Sequence, residues 1–296
     1  MGSLSLVLIL LSHACAVSAS DSRLHNDNIF ILAGQSNMAG RGGVINGTWD
    51  GIVPSECQPN PSILRLTAGL TWVEAREPLH ADIDTNKTCG IGPGMAFANA
   101  VLRDPAFGIV GLVPCAVGAT NISEWSRGTY LYTQLVRRAK ASLQHGGKIR
   151  ALLWYQGESD SKSPEYAKSY KGKLEKFILD LRTDLRSPML PVIQVALASG
   201  GPFIKIVREA QLGVDLPNVT CVDAMGLPLE PDGIHLTTPA QVRLGKRLAS
   251  AFLQTVPTPI SNNTSKRFSS FISNSVMDPL FRFTLMILTI PLSYMM

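Results

Sequence analysis

Short apolar runs alternate along this chain with longer segments in which apolar residues recur at every third or fourth position. The runs are bounded by turn residues, and they predict buried strands at Ile29–Ala33, Ile109–Val117, Ile149–Tyr155, Pro191–Leu197 and Val219–Ala224. Helical spacing predicts helices over Thr129–His145, over Pro164–Arg186 and from Thr238 to about Gln254. Strands and helices that take turns in this way predict an α/β fold, a three-layer α/β/α sandwich around a parallel sheet of about five strands.

Two features of this pattern bear on the site. A long segment, Arg41–Pro93, interrupts the alternation and is predicted to be a loop, while Thr238 and Pro239 are typical of the N-cap and first turn of the last helix. In open parallel sheets, ligands bind beyond the carboxyl ends of the strands. We therefore expect the residues that follow each strand to carry function.

The N-terminal segment has the layout of a secretory signal peptide. Leu4–Leu11 is almost wholly apolar, and the small residues Val17 and Ala19 precede a cleavage site after Ala19. The segment before the apolar run has no Lys or Arg, which is a departure from that layout, and the alternative is a short buried helix. We expect residues 1–19 to be a signal peptide and the protein to be secreted.

The C-terminal residues 261–296 form a polar linker followed by a hydrophobic tail. The apolar run from Phe283 to Met296 is short for a helix that crosses a ~30 Å hydrocarbon core. Small residues, a spacer and an apolar end together are typical of a GPI-attachment signal, which would place the protein at the cell surface on a lipid anchor. The alternative is a C-terminal extension without a function. Either way, residues 20–260 are left as one domain.

The overall composition agrees with an extracellular protein. Six of the twelve asparagines begin glycosylation sequons: Asn46, Asn86, Asn121, Asn218, Asn262 and Asn263. Outside the signal peptide the chain has four cysteines, Cys57, Cys89, Cys115 and Cys221. They predict up to two disulfides, and the sequence does not determine which cysteines pair.

Charge and motif content exclude some function classes. The net charge is +5, of which residues 261–296 carry +2, and this mild, dispersed charge does not predict nucleic-acid binding. The chain has no Cys-x-x-Cys or His-Glu-x-x-His spacing, so we expect neither a metal nor another cofactor.

Candidate catalytic residues follow the first and last predicted strands. Ser36 stands in a Gly-Gln-Ser-Asn-Met turn after the first strand, where a serine is either a nucleophile or a helix N-cap. Asp232 precedes His235 by three residues, a spacing at which the carboxylate can orient the imidazole as a general base. These three residues are the predicted catalytic triad.

Acyl transfer also needs donors for the oxyanion that develops on the carbonyl oxygen. Candidates are the backbone N–H groups of Ser36 and Gly118 and the side-chain amide of Gln156, which lie after three different predicted strands. His80, Trp72 and Trp125 are candidate groove residues, and a structural role is the alternative for each.

The order of these blocks resembles the SGNH hydrolase superfamily. The blocks are Gly34–Met38, Gly118, Gln156–Asp160 and Asp232–His235, and the likeness, which covers about Asn28–Leu253, is greatest to plant carbohydrate esterases of the sialate O-acetylesterase-like type. The resemblance implies a three-layer α/β/α fold, metal-free hydrolysis and acetyl esters of carbohydrate, including cell-wall polysaccharide, as substrates. It implies Ser36 as nucleophile, His235 as base, and Gln156 in place of the usual oxyanion asparagine.

The identity of the triad acid and the function stay open between alternatives. In some related esterases the glutamate of the third block completes the triad, so Glu158 is the alternative to Asp232, which the local spacing favours. A lipase or thioesterase of the same superfamily and a non-catalytic wall-binding protein with a vestigial triad are the alternative functions. We expect a monomer.

Overall fold

A computed structural model describes residues 28–256. The predicted signal peptide 1–19, the tail 261–296 and the sequons at Asn262 and Asn263 lie outside the described residues. Within residues 28–256, no helix is long and apolar enough to cross a membrane.

The described chain contains strands and helices in regular alternation after a loop-rich first third. The strands are β1 (Asn28–Gly34), β2 (Val44–Ile45), β3 (Thr48–Trp49), β4 (Ile63–Leu66), β5 (Trp72–Glu74), β6 (Val110–Pro114), β7 (Lys148–Tyr155), β8 (Val192–Ala196) and β9 (Val219–Asp223). The helices are α1 (Ser36–Ala39), α2 (Gly94–Val101), α3 (Tyr130–Ser142), α4 (Pro164–Asp184), α5 (Ile204–Leu212) and α6 (Thr238–Gln254).

Seven strands form one sheet in the order β5-β4-β6-β1-β7-β8-β9. All neighbouring pairs are parallel except the edge pair β4–β5, and β1 lies between β6 and β7 with Ile31 paired to Val113 and Leu152. Strands β4, β5 and β6 lie on one side of β1 in the strand order, and β7, β8 and β9 lie on the other side. Such a switch point, beyond the carboxyl end of β1, is where open parallel sheets bind ligands.

Aromatic residues show that both faces of the sheet are covered. Phe30 of β1 packs edge-to-face against Phe97 of α2 and Phe252 of α6, with ring centroids 4.9 and 4.8 Å apart. On the opposite face, Trp154 of β7 packs against Phe177 of α4 at 4.5 Å. Because the strands are buried on both sides, their sequences read as continuous apolar runs. The predicted α/β/α sandwich is therefore confirmed.

The prediction of about five strands needs a correction. All five predicted strands are present as β1, β6, β7, β8 and β9, but β4 and β5 extend the sheet to seven strands. These two strands have only four and three residues and lie within Arg41–Pro93, so no apolar run long enough to predict a strand marks them.

The helices differ from prediction mainly at their ends. The N-cap of α6 is Thr237, whose Oγ1 accepts a hydrogen bond from the backbone of Ala240, and Thr238 is the first helical residue. The sequence pattern also missed α2 and α5, of which α2 packs against α6.

The predicted disulfides are contradicted, because all four cysteines are free thiols. Cys115 follows β6 and Cys221 lies in β9. Four strand spacings separate these residues by about 19 Å, whereas a disulfide needs Cα atoms within about 7 Å. Burial raises the pKa of Cys89, Cys115 and Cys221 to about 11, so these thiols are weak nucleophiles.

Candidate active site

A tight turn at the end of β1 presents Ser36. Gly34 has a φ of 132°, and a Cβ there would lie 2.1 Å from the carbonyl oxygen of Tyr155, so only glycine fits. Gln35 then donates its backbone N–H to the same carbonyl oxygen at 2.9 Å, and α1 begins at Ser36. The turn fixes Ser36 at the carboxyl edge of the sheet, next to the end of β7.

The structure brings Ser36, His235 and Asp232 together in a line of hydrogen bonds. His235 Nε2 lies 2.9 Å from Ser36 Oγ, and His235 Nδ1 lies 2.6 Å from Asp232 Oδ2. Asp232 Oδ1 accepts the backbone N–H groups of Ile234 at 2.8 Å and His235 at 2.9 Å. This geometry can move a proton from the serine hydroxyl to the imidazole while the carboxylate fixes the ring.

The environment of Asp232 keeps its carboxylate charged. Partial burial opposes ionisation, but the backbone donors of His235 and Ile234 and the His235 ring together lower the pKa of Asp232 below its ordinary value. A lowered pKa suits a group that stabilises an imidazolium.

Asn37 connects the serine turn to the loop that carries His235. Its Oδ1 accepts the backbone N–H of Leu236 at 2.9 Å, and its Nδ2 donates to the Ile234 carbonyl at 3.3 Å. The two contacts lie on either side of His235 in the chain. The same Nδ2 donates to Glu158 Oε1 at 2.8 Å, and Asn37 is fully buried.

Glu158, the alternative triad acid, occupies a different place. It is 2 % exposed, its Oε1 is bonded to Asn37, and its Oε2 has no hydrogen-bond partner among residues 28–256. Burial raises its pKa to about 7, and the bond from Asn37 only partly offsets this. Asp232, rather than Glu158, contacts His235 Nδ1.

Gly118 lies beside Ser36 but its N–H is already bonded. A Cβ on Gly118 would lie 3.4 Å from Ser36 Cβ and 2.7 Å from Arg41 Nη2, so the residue must be small. Its N–H donates to Asp84 Oδ2 at 3.0 Å, and the same oxygen pairs with the buried guanidinium of Arg41. The Gly118 N–H thus lies near Ser36, with Asp84 as its partner.

Gln156 does not reach the site, which corrects the expectation for its amide. Gln156 is fully buried, and its Nε2 donates to Asp160 Oδ2 at 2.6 Å and to the Thr120 carbonyl at 2.9 Å. The Gln156 amide is therefore hydrogen-bonded inside the protein. The expected oxyanion role of Gln156 was inferred from its position after a strand, and that position does not determine the orientation of the side chain.

Gln35 is the residue that sequence reasoning missed. Its Oε1 accepts hydrogen bonds from Gln156 Nε2 and from the backbone N–H groups of Gly157 and Ser159, each at 3.3 Å. Its Nε2 has no acceptor among the described residues, and the side chain lines the cavity at Ser36. The signal in the sequence was its position next to Ser36.

These groups surround one cavity of about 340 Å³. Its wall includes Gln35, Ser36, Arg41, Gly118, Glu158 and His235. Its volume is in the range of about 300–1,000 Å³ that is typical of small-molecule sites. His80 and Trp125 are fully buried in the core, and neither they nor Trp72 line this cavity. Burial lowers the pKa of His80 to about 3, so its imidazole is neutral.

Within residues 28–256, no cluster of three or more His, Cys, Asp or Glu side chains has the arrangement of a metal site.

Comparison with known proteins assigns the chain to a family. Residues 26–254 match the family described as carbohydrate esterase, sialic acid-specific acetylesterase. A protein of Arabidopsis thaliana named probable carbohydrate esterase is 58% identical over 235 residues, which cover 77% of this chain and 90% of that protein. A crystal structure from the same plant at 1.6 Å resolution superposes with a TM-score of 0.76 at 57% identity, covering 78% of this chain and 99% of that one.

A more distant structure has the same fold. A carbohydrate acetylesterase of Xanthomonas citri superposes with a TM-score of 0.56 at 20% identity, covering 75% of this chain and 55% of that one.

Proposed function

The chain belongs to the carbohydrate esterase family of sialic acid-specific acetylesterases, and we propose that it hydrolyses O-acetyl esters of carbohydrate with Ser36, His235 and Asp232 as its catalytic triad. The single observation that supports the triad is the unbroken line Ser36 Oγ–His235 Nε2, 2.9 Å, and His235 Nδ1–Asp232 Oδ2, 2.6 Å. The geometry is that of a serine with a positioned general base.

In the first half-reaction, His235 Nε2 accepts the proton of Ser36 Oγ as the oxygen attacks the acetyl carbonyl. The tetrahedral intermediate collapses when the bond between the carbonyl carbon and the sugar oxygen breaks, and His235 returns the proton to the leaving sugar hydroxyl. In the second half-reaction a water attacks acetyl-Ser36, His235 takes the proton of the water and delivers it to Oγ, and acetate leaves. Asp232 stabilises the imidazolium in both halves.

The oxyanion requires N–H donors beside Ser36. The backbone N–H of Ser36 and the Gln35 Nε2 amide have no acceptors among the described residues, and Gln35 lies in the cavity wall. Gly118 contributes its N–H as a third donor when it exchanges Asp84 for the oxyanion. Gln35 replaces Gln156 in this scheme because the Gln156 amide is bonded to Asp160 and Thr120.

The proposed setting is extracellular. Four of the sequon asparagines, Asn46, Asn86, Asn121 and Asn218, lie on turns or loops or at helix boundaries and are at least partly exposed, as glycosylation requires. Release of the protein from plant membranes by a GPI-cleaving phospholipase would support the lipid anchor, and retention after treatment would contradict it.

The triad is tested by acetate release from an acetylated xylo-oligosaccharide and from p-nitrophenyl acetate. Ser36→Ala is expected to lower kcat by at least about 10³-fold, with residual turnover from the remaining donors. Ser55→Ala is the matched control, since Ser55 is exposed and contacts only Glu56 through its hydroxyl. A Ser36→Ala enzyme within twofold of the wild type would contradict the proposal, and a preference for long-chain p-nitrophenyl esters would indicate a lipase.

A further inference from the structure

A buried ion pair lies beside Ser36, and the triad does not use it. Arg41 follows α1, and Asp84 lies in the loop between β5 and α2. Their side chains are 6 % and 2 % exposed, and Arg41 Nη2 pairs with Asp84 Oδ2. Because a buried ion pair is costly to desolvate, its presence is weak support for a role in stability. A role in the reaction would explain why this pair lies next to the serine.

The missing side chain of Gly118 marks the point where these groups meet. A Cβ on Gly118 would lie 2.7 Å from Arg41 Nη2 and 3.1 Å from Asp84 Oδ2. The same Cβ would lie 3.4 Å from Ser36 Cβ. Both charged groups therefore lie within about 7 Å of Ser36 Cβ, a distance over which a charge acts strongly in a site of low dielectric constant. The ion pair is thus close enough to affect the charge that develops on the ester.

One oxygen of Asp84 holds a donor that the oxyanion needs. Asp84 Oδ2 accepts the Gly118 N–H at 3.0 Å in addition to the guanidinium of Arg41. A carboxylate is itself an anion, so Asp84 competes with the oxyanion for this N–H and repels it. In the free enzyme the Gly118 N–H therefore has an acceptor that must be exchanged during the reaction.

The position of Arg41 does not depend on Gly118. Arg41 Nη1 donates to the Gly40 carbonyl at 2.8 Å, and the Gly40 N–H donates to the Ser36 carbonyl at 2.9 Å. Two successive hydrogen bonds thus connect the guanidinium to the serine turn. When the Gly118 N–H leaves Asp84, the carboxylate keeps Arg41 as a charged partner. Without Arg41, Asp84 would be a buried and uncompensated anion beside the reacting ester.

We propose that Arg41 frees the Gly118 N–H for the oxyanion by neutralising Asp84, which is the partner of that N–H in the free enzyme. Arg41 is thus a positioning residue that acts through Asp84 and Gly118. The exchange itself breaks no covalent bond and transfers no proton, since the N–H only changes its acceptor from Asp84 Oδ2 to the oxyanion. The inference rests on the proposed function, because the oxyanion belongs to that reaction.

The test compares the binding of a neutral ester with the binding of an anionic tetrahedral adduct. Methylboronic acid resembles the acetyl group: Ser36 Oγ adds to the boron, the hydroxyl proton passes to His235, and the boronate becomes an anion. Its inhibition constant Ki is measured in competition with p-nitrophenyl acetate, for which kcat and KM are also determined. The variants are Arg41→Met, Asp84→Asn, the double variant and Arg41→Lys. Urea unfolding measures the stability of each variant separately.

The expected effects of the two single neutral substitutions differ in sign. Arg41→Met should weaken boronic acid binding and lower kcat by about 10²-fold each, with less than about a threefold change in KM, because only anionic states are affected. Asp84→Asn should bind the boronic acid at least as tightly as the wild type, since a neutral amide holds the Gly118 N–H less strongly than a carboxylate does. It also leaves the charge of Arg41 free to attract the anion.

Two further variants test whether charge is the cause. The double variant has no charge at either position, and it should recover at least about tenfold of the binding that Arg41→Met loses. Arg41→Lys keeps a positive charge and should lose less boronic acid binding than Arg41→Met.

The ion pair between Arg65 and Asp82 provides the matched control. Asp82 Oδ1 accepts a hydrogen bond from Arg65 Nη1 at 2.5 Å, and neither residue lines the cavity at Ser36. Arg65→Met and Asp82→Asn should keep both Ki and kcat within about twofold of the wild type, whatever their effect on stability.

A purely structural role of the Arg41–Asp84 pair predicts a different pattern. In that case Asp84→Asn would lose as much boronic acid binding as Arg41→Met, and the double variant would recover none of it. Either result would overturn the inference. If Arg41→Met does not fold, the double variant decides, since the inference requires its Ki to stay within about tenfold of the wild type. A wild-type protein that hydrolyses no acetyl ester, p-nitrophenyl acetate included, would instead contradict the proposed function.

Discussion

At the scale of single residues, the site combines a buried serine with a carboxylate near the surface. Ser36 is 6 % exposed, whereas the side chain of Asp232 is 43 % exposed. Asp232 is nevertheless held in place, because two backbone N–H groups of its own loop bind one oxygen and leave the other for His235. The contact between Asp232 and the His235 ring thus lies within four consecutive residues, which is why a local spacing in the sequence can indicate it.

Two isosteric substitutions distinguish between Asp232 and Glu158 as the triad acid. Asp232→Asn should lower kcat by about 10³–10⁴-fold, because an amide cannot stabilise the imidazolium that forms during attack. Glu158→Gln should lower kcat by less than about tenfold, since the amide oxygen of the new glutamine can still accept the hydrogen bond from Asn37 Nδ2. Steady-state hydrolysis of p-nitrophenyl acetate measures both variants. A larger loss in Glu158→Gln than in Asp232→Asn would make Glu158 the acid.

The proposed oxyanion donors show where single-residue inference from sequence reaches its limit. Gln35 and Gln156 are both polar residues that follow a buried strand, and only Gln156 is predicted from the sequence as a donor. The structure buries the Gln156 amide between Asp160 and Thr120, while Gln35 is one of the residues that line the cavity. That choice depends on tertiary contacts between segments distant in the chain, Gln156 with Thr120 and Gln35 with Gln156, which are 36 and 121 residues apart.

At the scale of elements, the site depends on how the serine turn is joined to the segment between β9 and α6. Asn37 makes this connection through Ile234 and Leu236, and Ser199 Oγ, in the loop after β8, donates to the same Ile234 carbonyl. Gln241 of α6 adds a bond from its Nε2 to the Asn37 carbonyl at 3.0 Å. The carboxyl ends of β1, β8 and β9 are therefore locked together around His235.

Asn37→Ala should remove this connection and affect both stability and catalysis. Unpaired buried groups at Leu236 and Glu158 should lower the free energy of unfolding by about 2–4 kcal/mol, and freedom of the His235 loop should lower kcat more than it changes KM. Urea denaturation and steady-state kinetics measure the two effects.

Asn28→Ala is the control for that variant, because Asn28 is also a buried amide but lies at the amino end of β1, bonded to Ile109 and Arg150. It should lose stability and keep its kcat. Equal kcat in the two variants would show that Asn37 has only a structural role.

At the scale of the whole molecule, the sheet core was predictable and its edge was not. The five central strands are covered on both faces, so each is a continuous apolar run. The edge strands β4 and β5 are held by pairing with β6 and with each other, which the sequence of a three- or four-residue segment does not reveal. The cysteines gave a wrong prediction for a related reason: their number suggested pairing, but the sheet order sets Cys115 and Cys221 far apart.

The buried carboxyl groups should make the whole fold less stable as the pH rises. Burial raises the pKa of Glu77 to about 8, from an ordinary value of 4.5. A group with a raised pKa binds more protons in the folded state, so its contribution is complete below pH 4.5 and is lost as the pH rises toward 8. Between pH 6.5 and 8 this loss should be up to about 1.4 kcal/mol per pH unit.

Glu77→Gln should flatten that dependence, because the amide stays neutral. Urea unfolding at pH 6.5, 7, 7.5 and 8 measures the slope for the wild type and the variant. Glu209→Gln, a change at an exposed position on α5, should keep the wild-type slope. Parallel slopes for the wild type and Glu77→Gln would contradict the assignment of the raised pKa to Glu77.

The central claim is that Ser36 is the nucleophile, and covalent labelling tests it most directly. The protein is treated with a fluorophosphonate and the adduct is located by peptide mass spectrometry. We expect one adduct per chain, on Ser36, no adduct in Ser36→Ala, and labelling slowed by at least about 100-fold in His235→Ala. A wild-type protein that hydrolyses acetyl esters while the adduct maps to another residue, or does not form, would contradict the account.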